Sequence, residues 1–275
     1  MTIWKYSRRD TVLLLITTAQ MALSIWLAAT WDERPLLQLF LLWPIAVLLF
    51  WYNGTVAAHN FLHTPWFKHD LLNTIYAALN SINIGVPLTL CRFHHLNHHA
   101  YGNDRPGEDG RTRDHSSTYA FGRDGRHESV LIYCALGLFR GGIAEAYSAV
   151  RRSNRWNAFC RELAVCALAL AAYALLSWRY VLFFYLPVFY VGSVLGIMNN
   201  YYQHFGAEPE KHSANSVSYY GRFYNFLLCN EGYHQEHHLK PQMHWTRRPE
   251  VRQALGSAQH PVSSRPPLLR LLDGR

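Results

Sequence analysis

The run TVLLLITTAQMALSIWLAATW, at residues 11–31, contains no Asp, Glu, Lys or Arg. An α-helix needs about 20 apolar residues to cross the hydrocarbon core of a bilayer, so this run is long enough for one crossing. Only residues 32–34 separate it from a second uncharged run at residues 35–58. A turn this short leaves room only for an antiparallel pair of helices. We therefore predict a transmembrane hairpin near the start of the chain.

Two further uncharged runs occupy residues 163–178 and 180–203, with only Arg179 between them. They predict a second hairpin with an equally short outer turn. The sequence therefore predicts a single all-α integral membrane domain over residues 1–275, with four transmembrane helices in two hairpins.

Two other segments are apolar but poorly suited to a crossing. Residues 71–91 are uncharged but mixed in polarity, and residues 129–150 are interrupted by Arg140 and Glu145. We expect both segments to form helices that lie in the membrane interface.

The basic residues are distributed unevenly along the chain, which carries a formal net charge of +8. Of the 26 Lys and Arg residues, only Arg34 and Arg179 lie in the two predicted outer turns, and the other 24 lie elsewhere. Positively charged loops stay on the cytoplasmic side of a membrane. We therefore expect both termini and a histidine-rich cap, residues 59–162 and 204–275, to face the cytoplasm of a bacterial inner membrane. The basicity is then a topology signal and does not indicate a nucleic-acid partner.

Ten of the 16 histidines fall in four short clusters. Two clusters share the spacing His-x-x-His-His, in RFHHLNHH at 92–99 and in GYHQEHH at 232–238. The other two lie at the ends of the second and fourth predicted helices. The clustered residues are His59 and His63; His94, His95, His98 and His99; His204; and His234, His237 and His238.

These spacings indicate a metal site, because residues at i, i+3 and i+4 share one face of a helix. Each His-x-x-His-His triplet can aim three imidazoles at one point, and His59 and His63 can aim two. Asn200 and His204 repeat the i, i+4 spacing. Nine convergent histidines exceed the four ligands of a structural zinc site and suffice for two metal ions. Imidazole binds iron, copper, nickel and zinc, so the ligand type leaves the metal open.

The order of the clusters resembles that of the membrane fatty-acid desaturase superfamily, which includes acyl desaturases, sphingolipid desaturases and hydroxylases, and carotenoid ketolases and hydroxylases. The likeness covers residues 35–245 and is strong in GYHQEHH, which Pro241 and Trp245 follow. It implies a cap that holds two iron ions, activates O2 and attacks an unactivated C–H bond. Asn103-Asp104-Arg105-Pro106-Gly107 stands where the superfamily usually has an acidic Asp-Pro-Asp/Glu element.

The resemblance implies nine metal ligands and no other catalytic side chain. Three more residues are candidates for a ligand or for a hydrogen-bond partner of one. Asn200 with His204 resembles the extra ligand pair of acyl-CoA desaturases, Glu236 lies between ligands, and His94 could replace His95. The implied ligands are His59, His63, His95, His98, His99, His204, His234, His237 and His238.

Desaturation of a fatty acyl chain is the function that the resemblance favours, in a lipid substrate that enters from the bilayer. Hydroxylation or ketone formation on a fatty acyl or carotenoid-like substrate stays open, because these reactions use the same site. A membrane metal transporter or metal-binding protein is the alternative from another class, but transporters place ionisable ligands at mid-membrane depth. A zinc hydrolase is disfavoured by the ligand count and because the sequence lacks His-Glu-x-x-His.

The source of electrons is predicted to be a separate protein. The sequence has no GxGxxG motif, and its five cysteines are scattered without a CxxC pair. We therefore expect an external one-electron donor of the ferredoxin, rubredoxin or cytochrome type, attracted to the basic cytoplasmic face.

Overall fold

The computed structural model describes residues 2–255 and 260–273. Within these residues the chain forms helices joined by loops, and the β-structure consists of two isolated bridges, Trp4 with Phe67 and Ser218 with Val262. The prediction of an all-α protein is confirmed. The α-helices are α1 Asp10–Thr30, α2 Leu36–Tyr52, α3 His59–His63, α4 Asp70–Ile84, α5 Leu88–Tyr101, α6 Val130–Arg140, α7 Ile143–Arg151, α8 Trp156–Tyr180, α9 Leu186–His204, α10 Arg222–Leu227, α11 His234–Leu239 and α12 Arg248–Leu255.

Four helical segments of the described chain are long and apolar enough to cross a membrane. The first two correspond to the first predicted hairpin, Trp156–His204 contains both helices of the second, and Val130–Arg151 is a segment for which the sequence predicts an interfacial helix. Their outer faces carry large apolar side chains, and Leu36 and Phe40 are 84% and 73% exposed. Contiguous apolar surface of this kind needs a non-aqueous neighbour, which the bilayer supplies. The four segments are Asp10–Glu33, Leu36–His63, Val130–Arg151 and Trp156–His204.

The 49-residue segment Trp156–His204 is not one straight helix. Ser177 has φ −160° and ψ 108°, which is outside the helical range, and it lies two residues before Arg179. The rings of Tyr173 and Tyr185 are 5.9 Å apart. Twelve residues of straight helix would span about 18 Å. The chain therefore folds back near Ser177, where the sequence predicts the second outer turn.

The two predicted outer turns lie side by side. The Arg179 guanidinium is 3.2 Å from the Asp32 carboxylate, and the Trp31 ring packs edge-on against Tyr180 and Phe184. Both hairpins therefore have their turns at the same end of the bundle, as two hairpins with the same orientation in a membrane require.

Two segments for which the sequence predicts interfacial helices are interrupted by glycines. Gly141 and Gly142 divide Val130–Arg151 into α6 and α7, which have 11 and 9 residues. Helices of that length cover about 17 and 14 Å, less than the roughly 30 Å of the hydrocarbon core. Gly85, with φ +68°, ends α4, and α5 leaves it at an angle of 85°. The placement of both segments in the interface stays a prediction.

The described residues form two compact units, residues 2–92 with 146–193 and residues 93–145 with 194–255 and 260–273. In the first unit, α1, α4 and α8 pack around buried polar side chains. Asn53 accepts a hydrogen bond from Thr17 and donates one to Gln20, at 2.7 and 2.6 Å. Asn53 begins the π-helix Asn53–Ala58, whose extra residue changes the helical phase of α3 and so the direction of His59 and His63.

The second unit contains an apolar cluster and a buried ion pair. Tyr133, Cys134, Tyr201 and Tyr202 form the apolar cluster. The Arg248 guanidinium donates to the Glu231 carboxylate at 2.8 Å, and both side chains are at most 2% exposed. The pair lies close in sequence to α11, so it fixes the segments on either side of that short helix.

Candidate metal centre

Seven of the nine predicted ligands lie in the second unit, on α5, α9 and α11. Residues 234–238 of α11 are all at most 3% exposed, so the helix is buried although it is only six residues long. The i, i+3 and i+4 spacing places each triplet on one helix face, as the sequence predicts. The seven are His95, His98 and His99 on α5, His204 at the end of α9, and His234, His237 and His238 on α11.

Four of these imidazoles meet in one place, which we call the four-histidine cluster: His98, His204, His234 and His238. Their candidate ligand nitrogens all lie within 4.8 Å of one another. The Nε2 atom of His204 is 2.9 Å from Nε2 of His98 and 3.2 Å from Nε2 of His234. All four residues are at most 3% exposed.

The other ring nitrogen of two members is already engaged. His98 Nδ1 lies 2.7 Å from the Asp114 carboxylate, and His204 Nδ1 lies 2.9 Å from the Asn215 carbonyl oxygen. These oxygens can only accept from a ring N–H, so each Nδ1 carries a proton and Nε2 is the nitrogen that remains to bind a metal. Two lone pairs 2.9 Å apart repel unless a cation or a proton lies between them. Two nitrogens bound at right angles about 2.1 Å from one ion are about 3 Å apart, so the spacing fits a metal.

His238 gives a second reason to assign a metal to this cluster. Its side chain is 2% exposed, and neither ring nitrogen has a hydrogen-bond partner among the described residues. Burial and the neighbouring imidazoles lower the pKa of His238 well below its ordinary value, so the ring is neutral at pH 7. A buried polar atom without a partner costs about 1–3 kcal/mol. A metal ion would satisfy one of the two nitrogens.

A second group of imidazoles lies beside the first in the same unit. His95 and His99 have their Nε2 atoms 2.9 Å apart, and the His237 ring is centred 4.7 Å from that of His99. Candidate ligand nitrogens of the three residues are within 4.8 Å of one another. These three side chains offer part of a second metal site.

His59 and His63 belong to the first unit, on α3. Their rings are centred 5.4 Å apart at an angle of 76°, and His63 is 5% exposed. The i, i+4 spacing thus places the two imidazoles on one helix face, as the sequence predicts.

The three other candidate residues make contacts of their own. The Glu236 carboxylate accepts hydrogen bonds from Ser218 and Tyr220, at 2.8 and 2.6 Å. The Asn200 side chain bonds to the Tyr133 hydroxyl, and the His94 ring bonds to the backbone of Gly141. Neither His94 nor Glu236 belongs to the two groups of convergent side chains in the described chain.

Asp114 is a site residue that the sequence reasoning misses, because a single acid in an Arg-rich loop has no diagnostic spacing. It is fully buried beside His98. Burial alone would raise the pKa of Asp114, but the adjacent His98 ring and the hydrogen bonds from His98 and Ser116 outweigh it and lower that pKa. The carboxylate is therefore ionised at neutral pH.

A cavity of about 640 Å³ in the second unit reaches His99. Its wall carries three arginines and three acids, so its formal charge is balanced. The charged lining residues are Asp104, Arg105, Asp109, Arg111, Arg113 and Glu210. One of the candidate ligands, His99, therefore lies at the wall of this cavity.

Comparison with known proteins identifies the family. A family model described as fatty acid desaturase matches residues 34–264, most of the chain. The chain belongs to the fatty acid desaturase family. All nine predicted ligands lie within the matched residues, and the resemblance drawn from the histidine clusters is confirmed.

This desaturase-family chain also resembles a curated relative. It is 27% identical over 226 residues to a sphingolipid delta(4)-desaturase of Schizosaccharomyces pombe, an alignment that covers 73% of this chain. The alignment covers 57% of the relative, so the chain spans little more than half of that protein's length.

Proposed function

We propose that this chain is a membrane-bound di-iron oxidoreductase that uses O2 to desaturate a fatty acyl or sphingoid chain. The four-histidine cluster carries the proposal. It consists of four buried imidazoles whose lone pairs converge at metal-binding distances in a member of the fatty acid desaturase family. A lipid substrate agrees with the apolar helices, and the relative's name supports desaturation over the alternatives.

The proposed iron ligands form two sets. His98, His204, His234 and His238 would hold one ion. His95, His99 and His237 would hold the other, and the histidine spacing in the sequence favours His59 and His63 as its further ligands. Bound iron supplies the means to reduce O2 and to remove hydrogen from an unactivated C–H bond.

The chain's own residues bind, orient and shield this site. Asp114 and the Asn215 carbonyl oxygen hold protons on Nδ1 of His98 and His204, which leaves Nε2 of both rings available. Burial of all four rings excludes water, which would otherwise compete for the ligand positions. In the overall reaction a –CH2–CH2– unit, O2, two electrons and two protons give –CH=CH– and two molecules of water.

Lipid analysis tests the proposed reaction. Cells that express the chain should accumulate a lipid that differs from its precursor by the loss of two hydrogens, and cells that express His238→Ala should not. Mass spectrometry of total lipid extracts provides the measurement. Gain of one oxygen would instead assign hydroxylation, and gain of one oxygen with loss of two hydrogens would assign ketone formation. Either product would contradict desaturation while retaining the metal site.

We also propose that the two outer turns face away from the cytoplasm and that both termini and the cap face it, as in a bacterial inner membrane. The position of 24 of the 26 basic residues outside those turns supports this orientation, and the contact between Asp32 and Arg179 agrees with it.

Cysteine labelling in intact cells tests the orientation. In a background in which the exposed Cys160 is replaced by serine, a cysteine introduced at Glu33 should react with a membrane-impermeant maleimide. A cysteine introduced at Arg111 should react only after the cells are permeabilised. Labelling of the Arg111→Cys variant from outside would reverse the proposed topology.

A further inference from the structure

Asp114 lies in the loop between α5 and α6, outside every histidine cluster. Its carboxylate is 0% exposed and accepts four hydrogen bonds. Oδ2 accepts from His98 Nδ1 and from the Asn103 backbone N–H, both at 2.7 Å. Oδ1 accepts from the backbone N–H and the hydroxyl of Ser116, at 2.8 and 2.7 Å. These four donors replace the water that burial removes, so the carboxylate can be buried without a large loss of stability.

The surrounding loop holds the carboxylate in place. Asn103 has a positive φ of 62°, a conformation that Asn tolerates well, and its side-chain oxygen accepts from Thr118 at 2.7 Å. Asp104 accepts a hydrogen bond from the backbone N–H of Asp114 at 2.9 Å. Asn103 and Asp104 are the residues that replace the usual acidic element after the second histidine cluster. In this chain they help to orient Asp114.

The two members of the four-histidine cluster with a defined Nδ1 partner differ in the charge of that partner. His98 donates to the carboxylate of Asp114, and His204 donates to the neutral carbonyl oxygen of Asn215. A carboxylate partner fixes the orientation of an imidazole and makes its other nitrogen a stronger donor to a metal.

We propose that Asp114 is a positioning residue that orients the His98 ring and strengthens the bond from His98 Nε2 to the metal. The proposal rests on the metal site of the proposed function. A stronger donor stabilises the more oxidised state of a bound metal, so Asp114 also lowers the reduction potential of the ion in the four-histidine cluster.

Cobalt(II) binding to the detergent-purified chain tests this role without relying on activity. The wild-type protein should bind two cobalt ions and show ligand-field absorption. Asp114→Asn should bind one of them about 10–100-fold more weakly, as expected for loss of a hydrogen-bond partner of a ligand, and its absorption should shift. An Asp114→Asn protein with wild-type affinity and spectrum would overturn the proposal. A wild-type protein that bound no cobalt would overturn the metal site itself, and this proposal with it.

Three further variants separate positioning from general stability. Glu162→Gln is the matched control, because Glu162 is a buried carboxylate that accepts from the Thr89 backbone and hydroxyl, and both cobalt affinity and spectrum should stay unchanged. Adding Asp114→Asn to His98→Ala should weaken cobalt binding no further, because the residue acts through His98. A further loss in that double variant would contradict the proposal.

Ser116→Ala keeps the carboxylate but removes a hydroxyl that donates to Asp114 at 2.7 Å and lies 3.2 Å from His98 Nδ1. It therefore loosens the contact between Asp114 and His98, and it serves as the test if Asp114→Asn does not fold. A smaller loss of cobalt affinity with a spectral shift in the same direction is expected. An unchanged spectrum in Ser116→Ala would overturn the proposal.

Discussion

Replacing His238 by alanine should abolish turnover and release the metal of the four-histidine cluster, while the protein still inserts into the membrane. The His238 ring is buried and neutral, and neither of its nitrogens has a hydrogen-bond partner in the described chain. Binding a metal is therefore the role that we assign to it. Loss of a hydrogen-bond partner of a ligand costs about 10–100-fold in affinity or activity, and loss of the ligand itself should cost more than about 100-fold. Iron content and turnover of the purified variant provide the measurement.

His127→Ala is the matched control for this prediction. His127 is partly buried, and burial, followed by the charges of Arg105 and Arg270, lowers its pKa to about 4. Its two nitrogens, however, lie 2.6 and 3.1 Å from the hydroxyls of Thr118 and Tyr119. Both ring nitrogens of His127 therefore have hydrogen-bond partners within the protein. His127→Ala should lower the thermal stability of the chain and leave its iron content unchanged. If His238→Ala retained its full iron content and turnover, the assigned ligand set would be wrong.

The second large effect should be a complete dependence on a separate electron donor. Desaturation with O2 consumes two electrons beyond those taken from the substrate, and the sequence contains no flavin, haem or iron–sulfur motif. Purified protein supplied with lipid, O2 and NAD(P)H should therefore show no repeated turnover. Addition of a ferredoxin, rubredoxin or cytochrome with its reductase should restore turnover. Repeated turnover without such a protein would show that the chain carries its own donor.

The basic residues predict how that donor binds. An acidic partner is attracted by the positive face that we assign to the cytoplasm, and salt weakens the attraction. The Debye length falls from about 10 Å at 0.1 M to about 3 Å at 1 M ionic strength. Turnover with the donor should fall over this range, whereas a single turnover of chemically pre-reduced protein should not. Equal sensitivity of both rates to salt would place the effect in the enzyme and not in its encounter with the donor.

The transmembrane helices could be predicted from sequence because the physics that defines them is local. An uncharged apolar run of about 20 residues has few other uses. Residues 11–31 lie within segment Asp10–Glu33, and the predicted run 35–58 lies within segment Leu36–His63 except for its first residue. The two outer turns could be predicted in the same way. Residues 32–34 are all charged and divide the first apolar run, and Arg179 divides the second. In Val130–Arg151 the sequence indicates an interruption by the charged residues Arg140 and Glu145, whereas the helix breaks at the adjacent Gly141 and Gly142.

The histidine groups could be predicted because their spacing matches the helix period. His95, His98 and His99 needed only the rule that i, i+3 and i+4 share a face. How the imidazoles divide between two groups could not be predicted, because that depends on how separate helices pack. His98 and His99 are adjacent in sequence, yet they fall in different groups.

The hydrogen-bond partners of the ligand imidazoles could not be predicted from the sequence. Asp114 reaches His98 through a loop whose path depends on the positive φ of Asn103 and on side-chain hydrogen bonds within the loop. Contacts of this kind produce no periodic pattern in the sequence. Asn215 contributes only a backbone carbonyl oxygen, which any residue could supply, so its identity carried no signal.

The metal content of the wild-type protein tests the account most directly. The chain should be purified in mild detergent from cells grown with iron and zinc, and both metals should be measured by inductively coupled plasma mass spectrometry against protein concentration. We expect two iron ions per chain, with one lost in His238→Ala and none lost in His127→Ala. One zinc ion per chain and no iron would contradict the proposed oxidoreductase and favour a hydrolase or a metal-binding protein.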